Sequence, residues 1–167
     1  MKKQFLLPLI LLFLLVCGCN AKQHTPDETA TNVPLTTLME KMSNRATSLP
    51  TMDTLSKNDA DAQEWFEYLC DLDYNKVEDF LISYSNQTTA DEIFLIHLKD
   101  KNDVALTELS LQHRIDTRLL AFQNYLPIQV NKMNQAVVTS IGSYVALIIC
   151  NNPDDVEDTF QETLSTP

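Results

Sequence analysis

The chain is predicted to fold as an α+β domain: an antiparallel four-stranded sheet with helices packed on it, in the order ααββαββα. Three observations carry that prediction. Residues 77–84 and 92–99 are short runs rich in apolar, β-branched and aromatic side chains, the composition of strands. A second pair of such runs, 136–141 and 144–150, is separated only by Gly142-Ser143, the spacing of a tight hairpin. Segments with apolar residues at 3 and 4 spacing flank and divide the two pairs, which places helices before, between and after them.

The elements follow in order. Residues 35–46 form a first helix, with Leu35, Leu38, Met39 and Met42 on one face, and Leu49-Pro50 breaks it. A second helix covers about 59–70, where Asp59 is placed to cap and Trp65, Phe66, Leu69 and Cys70 make the apolar side. In the strand 77–84, Phe80, Ile82 and Tyr84 alternate on one face, with Val77 and Leu81 on the other. After the polar loop Ser85–Ala90, Ile93-Phe-Leu-Ile-His-Leu98 is apolar on both faces, the mark of an interior strand covered on two sides.

The longest helix spans about 103–125, capped by Asn102 or Asp103 and stopped by Pro127. Its buried stripe is Val104, Leu111, Ile115, Leu119, Phe122 and Leu126, widened by Leu106, Leu109 and Leu120. Gly142 supplies the positive φ of the hairpin turn. Asn152 caps a last helix that begins at Pro153, with Asp154 and Asp155 near its positive end and Val156, Phe160 and Leu164 facing the core.

Composition narrows the function. The 167 residues are 44% hydrophobic and 21% charged, which suits a folded domain. Gly18 and Gly142 are the two glycines, too few for a glycine-rich phosphate cradle, a dinucleotide fingerprint or a serine-nucleophile elbow. The net charge of −11 argues against nucleic acid as a partner, since phosphate contacts need a basic footprint.

The beginning of the chain reads as an address. Lys2 and Lys3 precede the apolar run Phe5–Val16, which is too short to span a bilayer. Val16-Cys17-Gly18-Cys19 follows, and it resembles a bacterial lipoprotein box in which Gly18 precedes the modified cysteine. That resemblance implies a diacylglyceryl thioether on Cys19 and cleavage after Gly18. Residues 1–18 are then a lipoprotein signal peptide, 19–33 a polar flexible tether that includes His24, and 34–165 a single α+β domain. Two acyl chains hold firmly where one does not, at about 0.8 kcal/mol per buried methylene. Loss of Lys2 and Lys3 leaves 10 basic against 23 acidic residues, a balance of −13. Anionic headgroups repel such a body, so the membrane is a partner through the lipid alone.

Four segments together also resemble a family. Val77-Glu78-Asp79-Phe80, Ala90-Asp91-Glu92-Ile93, a long helix closing on Tyr125-Leu126-Pro127, and Gly142-Ser143-Tyr144-Val145 occur in that order. They are similar to the bacterial lipoproteins known as domain of unknown function 4358, over about residues 35–162. The resemblance implies the fold and a lipid-anchored place on the extracytoplasmic face of the cell membrane. It implies no catalytic residue.

Several groups are candidates for chemistry. Cys70 and Cys150 either form a disulfide, which an exported chain permits, or are two separate buried thiols. Asp71-Leu-Asp73-Tyr-Asn75 starts like a calcium loop but has Lys76 and Ile82 where glycine and glutamate are needed, so it reads as a helix-to-strand turn. His97 is expected half-buried in its strand and His113 paired with Asp116 on the long helix. No metal or cofactor signature occurs. Trp65 and Phe66 are candidates for a partner contact, the alternative being that one fills the core while the other covers a sheet edge. The expected function is a membrane-anchored binding or assembly module with an envelope protein as partner. An envelope hydrolase built from Asp71, Asp73 or Glu92 is the alternative.

Overall fold

A computed structural model of the chain describes residues 30–165. The signal segment, Cys19, His24 and most of the tether lie outside the described residues. The α+β class holds, but the sheet has five strands where the sequence predicts four. The elements are α1 (Leu35–Arg45), β1 (Met52–Ser56), α2 (Ala62–Leu69), β2 (Val77–Ser85), β3 (Glu92–Leu98), α3 (Val104–Tyr125), α4 (Val130–Asn134), β4 (Val137–Ile141), β5 (Tyr144–Ile149) and α5 (Pro153–Ser165). The order is therefore αβαββααββα. All strand pairs are antiparallel, arranged β1-β2-β3-β5-β4.

The unforeseen strand is β1. Its sequence, Met-Asp-Thr-Leu-Ser, holds two apolar residues and carries no strand signal of its own. Pairing makes it a strand, from Met52 opposite Ser85 to Ser56 opposite Leu81. It also displaces the start of α2. Asp59, expected to cap that helix, turns back to accept from the Ser56 amide (2.6 Å) and hydroxyl (2.8 Å). The helix begins three residues later, after Asp61.

Apolar residues on both faces of β3 and β5 dictate three layers. Every residue of β5 is buried, and so are all of β3 except His97. One face carries Phe80, Phe94 and Leu147 under Phe66 of α2 and Leu111 and Ile115 of α3. The other carries Leu95 and Ile148 under Leu38 and Met42 of α1 and Val156 and Phe160 of α5. At about 25 cal/mol per Å² of apolar surface, neither face can be left to water.

Several sequence expectations change with the layers. A register shift between Val77 and Asp79 inserts a bulge, so Val77 joins Phe80 on the α2/α3 face instead of Leu81 on the other. Leu106, Leu109 and Leu120, expected to widen the buried stripe of α3, are exposed. Thr107 and Ser110 are buried in the helix instead, with the Thr107 hydroxyl donating to the Asp103 carbonyl (2.8 Å). Asn152 stands at the cap of α5 as expected, its carbonyl accepting from the Val156 amide (3.4 Å), while its side chain ties elements together: Oδ1 accepts from the Thr47 amide (2.8 Å), and Nδ2 donates to the Arg45 carbonyl (3.2 Å) and, within the first turn, to Asp155 (2.9 Å). These bonds clamp the end of α1 to the start of α5.

Gly142 has φ 58° and closes the β4–β5 hairpin, as expected. Tyr144, just beyond it, joins two parts of the molecule. Its ring stacks on His97, centroids 4.1 Å apart, and its hydroxyl lies 3.2 Å from the Val33 amide, which donates to it. The segment before α1 is held further by the Thr31 amide, which donates to the Leu164 carbonyl (2.8 Å). Ala30 and Val33 pack against the α1/α5 core.

His97 makes stability depend on pH. Burial lowers its pKa below the ordinary 6.5, against the upward pull of Glu78 and Asp79. The native state therefore favours the neutral ring. That contribution is fully present above the unfolded value and is lost as pH falls below it. Urea midpoints measured at neutral pH and at about pH 5.5 should show a smaller loss for His97→Gln than for the parent. Parallel losses would count against the assignment.

Candidate functional site

Two adjacent carboxylates enter the core at the head of β3. Asp91 and Glu92 are each 1% exposed, an arrangement that requires cations close by. The long helix supplies two. Arg114 and Arg118, four residues apart on α3, project from the same side of the helix. Arg114 grips Glu92 with both arms of its fork, Nε to Oε1 and Nη2 to Oε2, each 2.8 Å. Arg118 adds Nη1 to Oε2 at 2.7 Å and reaches the Ala90 carbonyl at 3.3 Å. Asp91 takes its cation from α4, where Lys132 Nζ lies 2.8 Å from both carboxylate oxygens.

The turn after α3 makes the second pairing possible. Pro127 ends the helix and opens a 3₁₀ turn (Pro127–Gln129) that leads into α4. Gln129 then accepts from the Ala90 amide (3.1 Å), and Lys132 meets Asp91. The Ala90-Asp91-Glu92-Ile93 and Tyr125-Leu126-Pro127 segments are thus two halves of one device.

The five charged side chains sum to +1 in a chain of −11. Burial opposes the charge on Arg114, but the hydrogen bond and attraction of Glu92 outweigh it and hold the guanidinium above its usual value. Arg118 lies below its usual value: burial dominates, and the like charge of Arg114 adds to it against the pull of Glu92. The Arg118 guanidinium also stands 5.6 Å over the Phe122 ring.

Beside this cluster a pocket of about 430 Å³ opens between α2, α3 and the β1–β2 end of the sheet. Leu55, Trp65, Leu69, Ile82 and Tyr84 form its apolar wall, and Glu92, Arg114 and Arg118 close one side. Trp65 is 52% exposed at the rim, edge-on to Tyr68. Phe66 is fully buried among Tyr74, Phe80 and Phe94. Of the two residues singled out for a partner contact, only Trp65 is reachable. Phe66 fills the core because it faces the sheet from the apolar side of α2.

The remaining candidates are dispersed. Cys70 and Cys150 are free thiols, buried on opposite faces of the sheet, the first under α2/α3 and the second under α1/α5. The sheet lies between them, and the two are not bonded in this fold. Burial pushes both thiols up, away from reactivity. His113 pairs with Asp71 of the helix-to-strand turn (2.8 Å), and Asp116 accepts from Gln112 instead (3.1 Å). Ser110, one turn before His113, accepts from the Asp71 amide (2.7 Å) and contacts the Cys70 thiol (3.2 Å). Asp73 caps the 3₁₀ turn Tyr74–Lys76 through the Asn75 amide (2.9 Å). Among the described residues no group of three or more His, Cys, Asp or Glu side chains is placed to hold a metal ion, and no helix is long and apolar enough to cross a membrane.

Arg114, Arg118 and Lys132 were not foreseen from the sequence. Their signal was faint: two arginines four apart on a helix, and an acidic pair at the start of an otherwise apolar strand more than 20 residues earlier.

The fold and the pocket define a three-layer α+β domain with an ion-paired charge cluster at the head of its central strand. The chain belongs to the family described as domain of unknown function (DUF4358), whose model matches residues 51–150, from the edge strand β1 to the end of β5. No curated protein and no solved structure matches the chain.

The charge cluster is structural as well as part of the pocket wall. Replacing Glu92 with Gln strands two buried guanidiniums and should cost about 3–5 kcal/mol in urea unfolding. Removing the exposed Arg45 partner of Asp155, whose side chains are about half exposed, should leave the midpoint almost unchanged. Similar losses for both would show that the cluster is not what holds α3 on the sheet.

Proposed function

We propose that this protein is a membrane-anchored extracytoplasmic binding module, and that the pocket beside Glu92 receives a ligand with an apolar body and one anionic group. The observation that carries the reading is the junction of an aromatic and aliphatic wall with two guanidiniums whose cluster keeps one unit of positive charge. A pocket of about 430 Å³ is within the range that takes a small molecule or an end of a larger one. Arg114 and Arg118 are held rigid by Glu92, so an arriving carboxylate, sulfonate or phosphate meets donors already in place. Such a group would also bring the buried cluster to neutrality. Trp65 and Tyr84 at the rim offer stacking surfaces.

The anchoring part of the proposal draws on Cys19 and its flanks in the sequence. The hydrolase alternative draws less from the geometry. Glu92 is committed to two arginines, Asp71 to His113 and Asp73 to a turn, and no hydrogen bond joins the three among the described residues.

Trp65 is the chain's single tryptophan, which makes the pocket its own reporter. Titration with 1-anilinonaphthalene-8-sulfonate, an aromatic anion, should quench Trp65 emission. The neutral analogue N-phenyl-1-naphthylamine, or an Arg118→Gln variant, should weaken binding about tenfold, the worth of one charge-assisted contact. Equal affinity for the anion and its neutral analogue would defeat the ligand assignment. Separately, Cys19→Ala should move the protein from the membrane to the soluble fraction on sedimentation; a variant that still sediments with membranes would defeat the anchor.

A further inference from the structure

The open edge of the sheet at β4 lies at the bottom of a cleft of about 1090 Å³, walled by the first half of α3 and by α5. In a hairpin with a two-residue loop, the residues flanking the loop exchange both backbone hydrogen bonds. Here those residues are Ile141 and Tyr144. By alternation Val137, Thr139 and Ile141 point their peptide groups at β5, and Val138 and Ser140 point theirs outward into the cleft. Both outward residues line it.

Native proteins usually blunt such edges with a charge, a proline or a covering element. β4, Val-Val-Thr-Ser-Ile, has no charge and no proline; among the described residues no strand pairs with its outer side, and α5 touches it through Gln161, which donates to the Thr139 hydroxyl (2.7 Å) and leaves the outward backbone of Val138 and Ser140 unengaged. Leu109, 68% exposed on α3, adds an apolar contact along one wall.

We infer that the β4 edge is a strand-addition site for an extended, basic peptide segment of a partner protein. Outward amides and carbonyls of Val138 and Ser140 would pair with its backbone. The walls choose its charge. Glu108 of α3 and Glu157 and Asp158 of α5 line the cleft, against Lys101 as its one basic residue. A segment alternating lysine or arginine with β-branched residues would lay its cations along these acids while its backbone completes a six-stranded sheet. The same acids disfavour a second copy, because edge-to-edge pairing would bring two sets of like charge together. This site is distinct from the arginine-lined pocket and stands or falls without it.

The test uses the full-length protein and a fluorescein-labelled decapeptide alternating lysine with valine, read by fluorescence anisotropy at low salt. A glutamate–valine peptide serves as counterpart. The lysine peptide should bind and added salt should weaken it; the glutamate peptide should bind at least about tenfold more weakly. Ser140→Pro removes one outward N–H and leaves the β4–β5 ladder intact, since proline is tolerated where an edge strand faces solvent. It should weaken binding about tenfold, as should Glu157→Lys with Asp158→Lys. Hydrogen exchange on the parent protein gives a readout that needs no variant: peptide should slow the Val138 and Ser140 amides. Equal binding of both peptides, unchanged binding by folded Ser140→Pro, unprotected amides, or self-association through this edge would each overturn the inference.

Discussion

A pair of central strands with no face to spare for water governs this structure. β3 and β5 are apolar on both sides, so the sheet must be covered twice, and the chain supplies α2 and α3 for one side and α1 and α5 for the other. Everything near the head of β3 follows from breaking that rule at one place. Asp91 and Glu92 sit where the strand enters the core, and two carboxylates there are tolerable only if cations arrive with them. That requirement explains the position of Arg114 and Arg118 on α3, the stop at Pro127 and the return of α4 with Lys132. A charged cluster of this kind contributes little net stability compared with an apolar replacement, but it discriminates against wrong registers of α3. A one-residue slip would leave Glu92 without its fork.

Much of the fold was legible because periodicity reports burial directly. The helix at 35–46, the long helix, the hairpin at Gly142 and the wholly apolar strand 92–98 each carry a pattern that only one environment satisfies. β1 was invisible for the converse reason: an edge strand with Asp53 and Thr54 facing water owes its form to β2, not to its own side chains. The bulge at Val77 was equally silent, since one extra residue changes the face of a side chain without changing the composition of the strand. Leu106, Leu109 and Leu120 show the opposite failure. Leucine favours helix whether or not it is buried, so their apolar character marks a wider stripe than the sheet covers.

The site was legible in fragments. Glu92 and Trp65 can be singled out from the sequence, yet what joins them is a pair of arginines 22 and 26 residues beyond Glu92, and such long-range pairing leaves no local pattern. The logic of the four family-like segments becomes visible only when folded: a bulge, a buried acidic pair, a helix stop that returns a lysine, and a turn that delivers Tyr144. Each solves a problem of geometry, which is why none of them looked like chemistry.

The pinning of the chain before α1 also fixes where it enters the domain. Thr31 and Val33 are fastened to Leu164 and Tyr144 on the α1/α5 side of the sheet, whereas the arginine-lined pocket opens on the α2/α3 side. The chain therefore enters the domain on the face opposite the pocket mouth. An occupant of the pocket is thus separated from the incoming chain by the thickness of the sheet.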